Sequence, residues 1–379
     1  MVLVIDACNI RSGGGLSHLK GILDHYNSKK YFSKIVIYSN LNTLNSIKDQ
    51  KWLEKKTHKY LNRSFIWSFF FQIFLFSKII RKNDNPSILF VPGGTFLGSF
   101  RPFVTMSRNM LPFELKEAFR FKDWKVRIKF LLLRLSQSFS YRKAKSVIFL
   151  TNYARDIIIS KIPSLEKKNI IIPHGINKRF ISKPKKQNKI SYYNDKKKFR
   201  FLYVSIVNAY KHQWNVSEAI LKLRNEGFPV CLDLIGPLSK ESYNKLYNVI
   251  NSKKNNQDTV RYLGSINHDD LPNYYFKSDA FVFASSCENL PNILIEAMSS
   301  GLPIASSNMG PMPEVLSNGG VYFNPLDVDS IYDALKKIMI DNSMRTYLSI
   351  TSYNRTKNFT WKECSNKTFN YIFELAKNQ

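Results

Sequence analysis

Cysteine is scarce in this sequence. Only four of the 379 residues are cysteine, and they lie far apart in the chain, at Cys8, Cys231, Cys287 and Cys364. No C-x-x-C pair occurs, so the spacing indicates neither a zinc site nor a disulfide framework. A chain with this cysteine usage is expected in a reducing cytosol.

Acidic residues are also few. The chain has 28 Asp and Glu against 57 Lys and Arg, which gives a formal net charge of +29. Such an excess fits a nucleic acid partner, an anionic membrane surface or a drift of composition toward lysine. No recognised nucleic-acid-binding module accompanies the charge. We therefore expect no nucleic acid partner, and a basic nucleic-acid-binding protein is kept as an alternative.

Long hydrophobic runs are absent as well. Residues 1–5 are apolar, but Asp6 ends the run and no basic region precedes it, so no signal peptide is predicted. The aromatic run at residues 65–80 is shorter than a membrane span and is interrupted by Gln72, Ser77 and Lys78, so no transmembrane helix is predicted. Its aromatic content leaves two interpretations open, a buried helix and a helix at a membrane interface.

Motifs for common cofactors are missing. The triplet Gly13-Gly14-Gly15 does not open a dinucleotide-binding fingerprint, because His18 replaces the third glycine of that motif, and no G-K-[ST] triplet indicates a P-loop. Asp327 and Asp329 form a D-x-D triplet, but it precedes a helical pattern, where aspartates serve as caps. The six histidines show no ligand spacing. We expect neither a metal ion nor a cofactor.

The sequence does contain an alternation of strand and helix patterns, and this alternation occurs once in each half of the chain. It is typical of parallel sheets covered by helices. Between the two series, residues 183–198 are rich in Lys, Asn, Pro and Ser, as in a surface connection. The predicted strands are residues 2–5, 35–38, 88–91, 146–150 and 170–172, then 201–204, 230–235, 260–263, 280–283 and 303–305.

These patterns predict an α/β fold with two Rossmann-like doubly wound domains that face an interdomain cleft. The first domain is placed at residues 1–185 and the second at residues 186–360. Residues 361–379 are predicted to form a helix that packs back toward the first domain. Ligands of such folds bind at the carboxyl ends of the strands, where helix amino termini converge.

The most informative stretch is residues 285–303. A strand leads into a loop, Pro291 suits the first turn of a helix and Gly301 suits the position after its end, so a helix is predicted at residues 291–300. Free amides at a helix start and the helix dipole attract a diphosphate. Glu288 in the loop and Glu296 in the helix then bracket one nucleotide-sugar. The substrate-binding residues expected at this helix start are Asn289, Leu290, Asn292 and Ile293.

Glu288 and Glu296, separated by seven residues, resemble the signature of the retaining glycosyltransferases of family 4 (glycosyltransferase group 1), which have the GT-B fold. The resemblance covers nearly all of the second domain and includes residues 260–264, 279–283 and 313–315. It implies that Glu288 contacts the donor sugar, that Glu296 binds the ribose and that Lys211 holds the diphosphate. Glu288 and Lys211 are accordingly the predicted catalytic residues.

The chain departs from the family pattern at two positions. Ser205-Ile206-Val207 stands where the family usually has Gly-Arg-Leu, so a second cation on the diphosphate is missing or comes from elsewhere. In the first domain, Arg108 and Asn109 occupy the region where many members carry a histidine. For both residues a ligand contact and a structural hydrogen bond remain open.

Two further candidates lie in the first domain. Gly13, Gly14 and Gly15 resemble the family's glycine loop, which faces the diphosphate and the acceptor and allows close backbone approach. A plain tight turn is an equally good explanation of this triplet. His174 follows a strand near the domain junction and is a candidate substrate contact.

Residues 116–143 contain nine Lys or Arg and two acidic residues, interleaved with Phe, Trp and Leu. This is a basic amphipathic pattern, for which binding to anionic lipid is favoured over an ordinary solvated helix. We predict a cytoplasmic protein held at the inner face of the cytoplasmic membrane.

Taken together, these features predict a retaining hexosyltransferase. Its donor is a nucleotide-sugar and its acceptor a lipid-linked oligosaccharide in cell-surface polysaccharide (O-antigen or lipopolysaccharide) biosynthesis. A nucleotide-sugar epimerase on the same fold is the main alternative, and it would need no acceptor. The base, the hexose, the acceptor hydroxyl and the oligomeric state stay open.

Overall fold

The computed structural model describes residues 1–28, 30–252 and 256–378. The chain divides into two compact units that are not simply its two halves. The first unit comprises Met1–Phe113, Ile128–Gly175 and Thr360–Gln379, and the second comprises Glu114–Arg127 and Ile176–Phe359.

The first unit is built on a seven-stranded parallel sheet with the order β3-β2-β1-β4-β5-β6-β7. Its central strands are apolar and buried on both faces, as expected where helices cover a parallel sheet. The strands are β1 (Val2–Asp6), β2 (Lys34–Tyr38), β3 (Leu53–Lys56), β4 (Ile88–Val91), β5 (Phe103–Met106), β6 (Ser146–Phe149) and β7 (Asn169–Ile171).

The second unit has a six-stranded parallel sheet with the order β10-β9-β8-β11-β12-β13. The sequence order reverses next to β8, which pairs with β9 on one side and with β11 on the other. Doubly wound sheets bind their ligands at such a switch point. The strands are β8 (Phe199–Val204), β9 (Val230–Ile235), β10 (Val260–Tyr262), β11 (Ala280–Phe283), β12 (Ile304–Ser307) and β13 (Gly320–Phe323).

Helices connect most of the successive strands, whereas a loop joins β4 to β5. The α-helices up to β8 are α1 (Gly13–Asp24), α2 (Leu41–Asn45), α3 (Phe65–Phe70), α4 (Ser77–Asn83), α5 (Leu115–Ala118), α6 (Trp124–Lys143) and α7 (Asn152–Lys161). Those that follow are α8 (Gln213–Asn225), α9 (Lys240–Ile250), α10 (Leu271–Lys277), α11 (Asn292–Ser299), α12 (Met312–Leu316), α13 (Val328–Ile340), α14 (Asn342–Arg355) and α15 (Trp361–Lys377).

Helix α15 packs against α1 inside the first unit. The Trp361 ring lies over Gly21, where an added Cβ would come within 2.4 Å of the ring, and the Ser365 hydroxyl donates to the Ile22 carbonyl at 2.7 Å. Edge-to-face contact between Tyr26 and Phe369 extends the same interface. These contacts explain why Thr360–Gln379 belongs to the first unit.

The division between the units falls earlier than the predicted 185/186 boundary. Residues 176–185 belong to the second unit because the Ile176 amide donates to the Phe359 carbonyl at 3.0 Å and the Ser182 amide donates to the Ser299 carbonyl at 2.9 Å. The segment Glu114–Arg127, which the sequence placed in the first domain, also belongs to the second unit. Its amide at Lys122 donates to the Glu241 carboxylate of α9.

The aromatic run predicted as either buried or interfacial forms α3, a π-helical segment (Phe71–Phe76) and α4. One face, with Phe71, Gln72, Phe76 and Ile80, is buried, whereas the other exposes large apolar side chains. Those exposed side chains are Phe65, Ile66, Trp67, Phe70 and Phe74. Within residues 1–28, 30–252 and 256–378, no helix combines the length and the apolar character that crossing a bilayer requires.

Candidate active site

The loops that follow β8 and β11 carry two of the predicted catalytic residues. Because β8 and β11 are parallel neighbours, their carboxyl ends lie at the same edge of the second sheet. There the Lys211 ammonium forms an ion pair with the Glu288 carboxylate. Lys211 is 4% exposed and lies over the Tyr210 and Phe283 rings, with centroid distances of 4.9 and 5.2 Å.

Electrostatics keep Lys211 charged. Burial alone would lower the pKa of its ammonium, but the nearby Glu288 carboxylate and the hydrogen bond to it outweigh burial and raise the pKa above its ordinary value. A buried, charged ammonium beside a carboxylate can exchange that partner for an oxyanion of a ligand.

Glu296 lies in the second turn of α11 and is 6% exposed. Its carboxyl accepts a hydrogen bond from the Tyr275 hydroxyl at 3.1 Å, and His268 Nε2 lies 3.7 Å from its other oxygen. Burial raises the pKa of Glu296 to about 7, although the Tyr275 bond and the Arg179 charge act in the opposite direction. Neither Tyr275 nor His268 was predicted, since neither lies in a sequence motif.

Helix α11 begins one residue later and ends one residue earlier than the predicted 291–300, so Pro291 precedes the first turn rather than lying in it. Pro291 is its N-cap residue, and the Leu294 and Ile295 amides make the first helical bonds, both to the Pro291 carbonyl at 3.1 and 3.3 Å. The amides of Asn292 and Ile293 precede these donors and lie at the dipole's positive end. Gly301 follows the helix with a φ of +66°, a conformation that favours glycine. Asn289 and Leu290 are buried in the loop before the helix.

A hydrogen-bonded cluster that the sequence did not reveal joins the two catalytic loops. The Ser286 amide donates to the Tyr210 carbonyl at 2.9 Å, and the Ser286 hydroxyl lies 3.0 Å from His212 Nε2 and bonds to the Glu117 carboxylate. Glu117 comes from α5, about 170 residues before Ser286, so no local pattern could have indicated the contact. Ile206, at the position where the family usually has arginine, is 39% exposed and supplies no cation.

The remaining predicted site residues lie in the first unit. Helix α1 begins at Gly13, so the glycine triplet forms its first turn rather than a loop before it, and the Arg108 guanidinium donates to the Gly14 carbonyl. Asn109 accepts a hydrogen bond from the Leu111 amide at 3.1 Å. His174 is buried and stacks on Trp361 with a centroid distance of 5.9 Å. Arg108, Asn109 and His174 thus make contacts within the first unit itself.

The D-x-D triplet serves as a helix cap, as predicted. The Asp327 carboxylate accepts a hydrogen bond from the Asp329 amide at 3.0 Å at the start of α13, and the Asp329 side chain pairs with Lys222. Across the part of the chain that the structure describes, no group of three or more His, Cys, Asp or Glu residues is arranged to hold a metal ion.

Comparison with known proteins supports the assignment of the second unit. Residues 184–355 match the family model described as glycosyl transferases group 1. The chain is 34% identical to O-antigen chain mannosyltransferase B of Escherichia coli over 111 residues, which are 29% of this chain and 29% of that relative. Residues 184–355, which are just under half of the chain, are therefore similar to group 1 glycosyltransferases. The match spans less than a third of that relative's length.

Solved structures show the fold of the whole chain. Sucrose-phosphate synthase from Thermosynechococcus elongatus superposes with a TM-score of 0.76 at 14% identity, covering 100% of both chains. HepE from Anabaena, in complex with UDP-glucose, gives a TM-score of 0.71 at 15% identity, again covering 100% of both chains. The chain has the GT-B class of α/β fold, with two Rossmann-like domains, as the sequence predicted.

Proposed function

We propose that this protein is a retaining hexosyltransferase. Its donor is a nucleotide-sugar, and its acceptor is a lipid-linked oligosaccharide of cell-surface polysaccharide biosynthesis. The single observation that supports the proposal most is the ion pair of Lys211 and Glu288 beside the start of α11, within the residues that match group 1 glycosyltransferases. HepE was solved with UDP-glucose and the Escherichia coli relative is an O-antigen mannosyltransferase, which supports the substrate classes.

In this proposal the donor diphosphate takes Glu288's place at Lys211. The ammonium then faces the charge that develops on the leaving phosphate, where an ammonium about 4 Å away contributes on the order of 4 kcal/mol at an effective dielectric near 20. The amides of Asn292 and Ile293 hold the same diphosphate through the dipole of α11. Glu288, released from Lys211, accepts hydroxyls of the donor sugar, and Glu296 accepts the two ribose hydroxyls.

Retention of the anomeric configuration follows if the diphosphate leaves from the face that the acceptor enters. A diphosphate oxygen then takes the proton of the acceptor hydroxyl, and no protein nucleophile is needed. The developing negative charge stays on the phosphate that Lys211 neutralises. We assign no covalent intermediate to this chain.

A lipid-linked acceptor requires the protein to reach a membrane. Two helical stretches of the first unit expose apolar side chains, one formed by α3 with the π-helical segment and the other by α6. Both adjoin the loop between β4 and β5: the hydroxyl of Ser77, which begins α4 directly after the π-helical segment, accepts from the Ser99 and Phe100 amides, and the Ser140 hydroxyl of α6 accepts from the Phe96 amide. The side chains that α6 exposes within the first unit are Ile128, Leu131, Leu132, Leu135 and Phe139. We propose that the exposed apolar residues of α3, the π-helical segment and α6, here called the two-helix face, bind anionic lipid with the help of neighbouring lysines and arginines.

The function is tested by incubating the protein with labelled UDP-, GDP- and ADP-sugars and with membranes as acceptor. We expect transfer of label to a lipid-extractable product and loss of about 99% of that transfer in Glu288→Ala. The variant should stay folded, although loss of the partner of buried Lys211 lowers its thermal stability. The matched control Glu218→Ala removes an exposed glutamate of α8 and should transfer normally.

Three outcomes would contradict the proposal. Normal turnover by Glu288→Ala would remove Glu288 from the reaction. Conversion of donor to an isomeric nucleotide-sugar without an acceptor would indicate the epimerase. Salt-sensitive DNA binding without any transfer would favour the nucleic-acid-binding alternative.

A further inference from the structure

The segment Glu114–Arg127, which belongs to the second unit, contacts the two residues that precede Glu288. Glu117 on α5 bonds to the Ser286 hydroxyl, and Glu114 bonds to the Cys287 thiol. Ser286 and Cys287 immediately precede Glu288 in the loop after β11. Neither Glu114 nor Glu117 belongs to the Glu288 and Glu296 signature, and nothing in the proposed chemistry uses them.

The direction of the hydrogen bonds around Ser286 follows from proton counting. The Ser286 hydroxyl has two acceptors within reach, the Glu117 carboxylate and the Tyr210 carbonyl at 3.2 Å, and neither can donate a proton to it. The charged carboxylate is the stronger acceptor, so the hydroxyl gives its one proton to Glu117. The Ser286 oxygen can then only accept from His212, so His212 carries its proton on Nε2. His212 stays neutral, because burial, reinforced by Arg120 and Lys245, lowers its pKa to about 3.

His212 holds a conformation that needs support. Its φ is +51° and its ψ is 32°, in the left-handed region, where a residue with a side chain is strained. Strained residues persist where surrounding contacts fix them. His212 directly follows Lys211, whose carbonyl accepts a hydrogen bond from the Tyr203 hydroxyl at 2.6 Å. The imidazole bond to Ser286 therefore helps to fix the backbone from which the Lys211 ammonium reaches Glu288.

From this chain of contacts we infer that Glu117 is a positioning residue, which acts through Ser286 and His212 to hold Lys211 in place for the donor diphosphate. The Glu117 carboxylate orients the Ser286 hydroxyl, whose oxygen accepts a hydrogen bond from His212. This bond holds His212, the residue after Lys211, in its left-handed conformation. The inference rests on the proposed function in one respect, that Lys211 binds the diphosphate.

A double-mutant cycle on nucleotide affinity tests the inference. The dissociation constants of UDP, GDP and ADP are measured for the wild type, Glu117→Ala, Lys211→Met and the double variant, and the matching nucleosides serve as phosphate-free comparisons. For the best-binding nucleotide we expect Glu117→Ala to weaken affinity about fivefold, and to have no further effect once Lys211 is replaced. Nucleoside affinity should stay the same in all four proteins, because Lys211 meets only the phosphates.

Two further variants distinguish a positioning role of Glu117 from a general stabilisation of the segment Glu114–Arg127. Glu117→Gln keeps an oxygen acceptor for Ser286 and should recover most of the lost affinity. Glu241→Ala releases the same segment at Lys122 without touching Ser286, and its nucleotide affinity should stay within about twofold of the wild type. Equal losses in Glu241→Ala and Glu117→Ala, or additive effects in the cycle, would overturn the inference.

Nitrogen NMR of labelled histidine supplies a readout that does not depend on a ligand. The wild type should show His212 protonated on Nε2, and in Glu117→Ala the Nε2 resonance should shift, because the Ser286 hydroxyl then turns to the Tyr210 carbonyl. A wild type with the other tautomer would overturn the inference. A wild type with the expected tautomer that binds no nucleotide would instead contradict the proposed function and leave the contact chain supported.

Discussion

At the scale of single residues, Glu296 shows how burial and function oppose each other. Its carboxyl is enclosed by Tyr275, His268 and the helix itself, and this burial raises the pKa to about 7. The ionised form is the one that can accept two ribose hydroxyls, yet it is the form that burial destabilises. In the proposed function, hydrogen bonds from the ribose hydroxyls offset the cost of burying the ionised Glu296 carboxylate.

Glu296 should make the protein less stable as the pH rises. Between an unfolded pKa of 4.5 and a folded pKa of about 7, the folded state binds the extra proton, so the free energy of unfolding falls with rising pH and then levels off. From this group alone we expect a loss of about 2–3 kcal/mol between pH 5 and pH 8. Urea unfolding at both pH values measures it.

Glu296→Gln is the control for this effect. The amide keeps an acceptor for the Tyr275 hydroxyl but does not titrate, so the pH-dependent loss should shrink by the same amount. Identical pH profiles for the two proteins would show that Glu296 does not have a raised pKa.

At the scale of secondary-structure elements, helix α11 is the element on which the site depends. Its start presents amides, its second turn carries Glu296, and its end is set by Gly301 in the left-handed region. A Cβ at Gly301 would lie 2.7 Å from the Pro184 Cα, so this turn is tight as well as left-handed. The same turn ties residues 182–184 to the helix.

Gly301→Ala should therefore destabilise the second unit more than an ordinary glycine replacement. We expect a loss of about 2–4 kcal/mol in the free energy of unfolding, from the strained φ and the contact with Pro184. Gly227→Ala is the matched control, because Gly227 has a φ of +90° but open space around it, and should cost about 1 kcal/mol. Equal losses in urea unfolding would show that the close contact has no effect.

Most strands with apolar runs were predicted, including the edge strands β7 and β10, whereas the central strand β5 was not among the predicted strands. Strand β9 was predicted with its observed limits, and α11 within one residue at each end, because buried runs and a Pro–Gly frame signal them directly. Strands β3 and β13 were missed. Both are edge strands, and β3, with the sequence Leu-Glu-Lys-Lys, carries almost no apolar signal.

Among the residues of the candidate site, some were likewise predictable from the sequence and others were not. Lys211, Glu288 and Glu296 were predicted because they lie in or near a motif with fixed local spacing. Glu117 was not, since it meets Ser286 across 169 positions, and a single sequence offers no period or spacing from which such a contact follows. Tyr275 was missed for the same reason.

At the scale of the whole molecule, the positive charge and the exposed apolar side chains act together. In the proposed membrane binding, the formal charge of +29 attracts an anionic surface over a distance limited by salt, whereas the two-helix face supplies apolar area at contact. Residues such as Leu132 and Leu135, which are 61% and 68% exposed, have no role in the core.

Replacing both Leu132 and Leu135 with serine should weaken binding to phosphatidylglycerol vesicles about tenfold, since each leucine loses its apolar contact with lipid. Co-sedimentation with vesicles measures the change, and added salt should weaken the wild type as well. Ile350→Ser, on α14 of the second unit, removes a comparably exposed side chain and should have no effect. Unchanged binding of the double variant would exclude α6 from the lipid contact.

The position of helix α15 has a consequence for how the protein is made. Gly21 and Ile22, near the beginning of the chain, are covered by Trp361 and Ser365. When the ribosome has synthesised the first 175 residues, α15 does not yet exist. The first unit therefore cannot bury this face of α1 until the second unit and then α15 have been synthesised. Premature termination within the second unit would thus impair both.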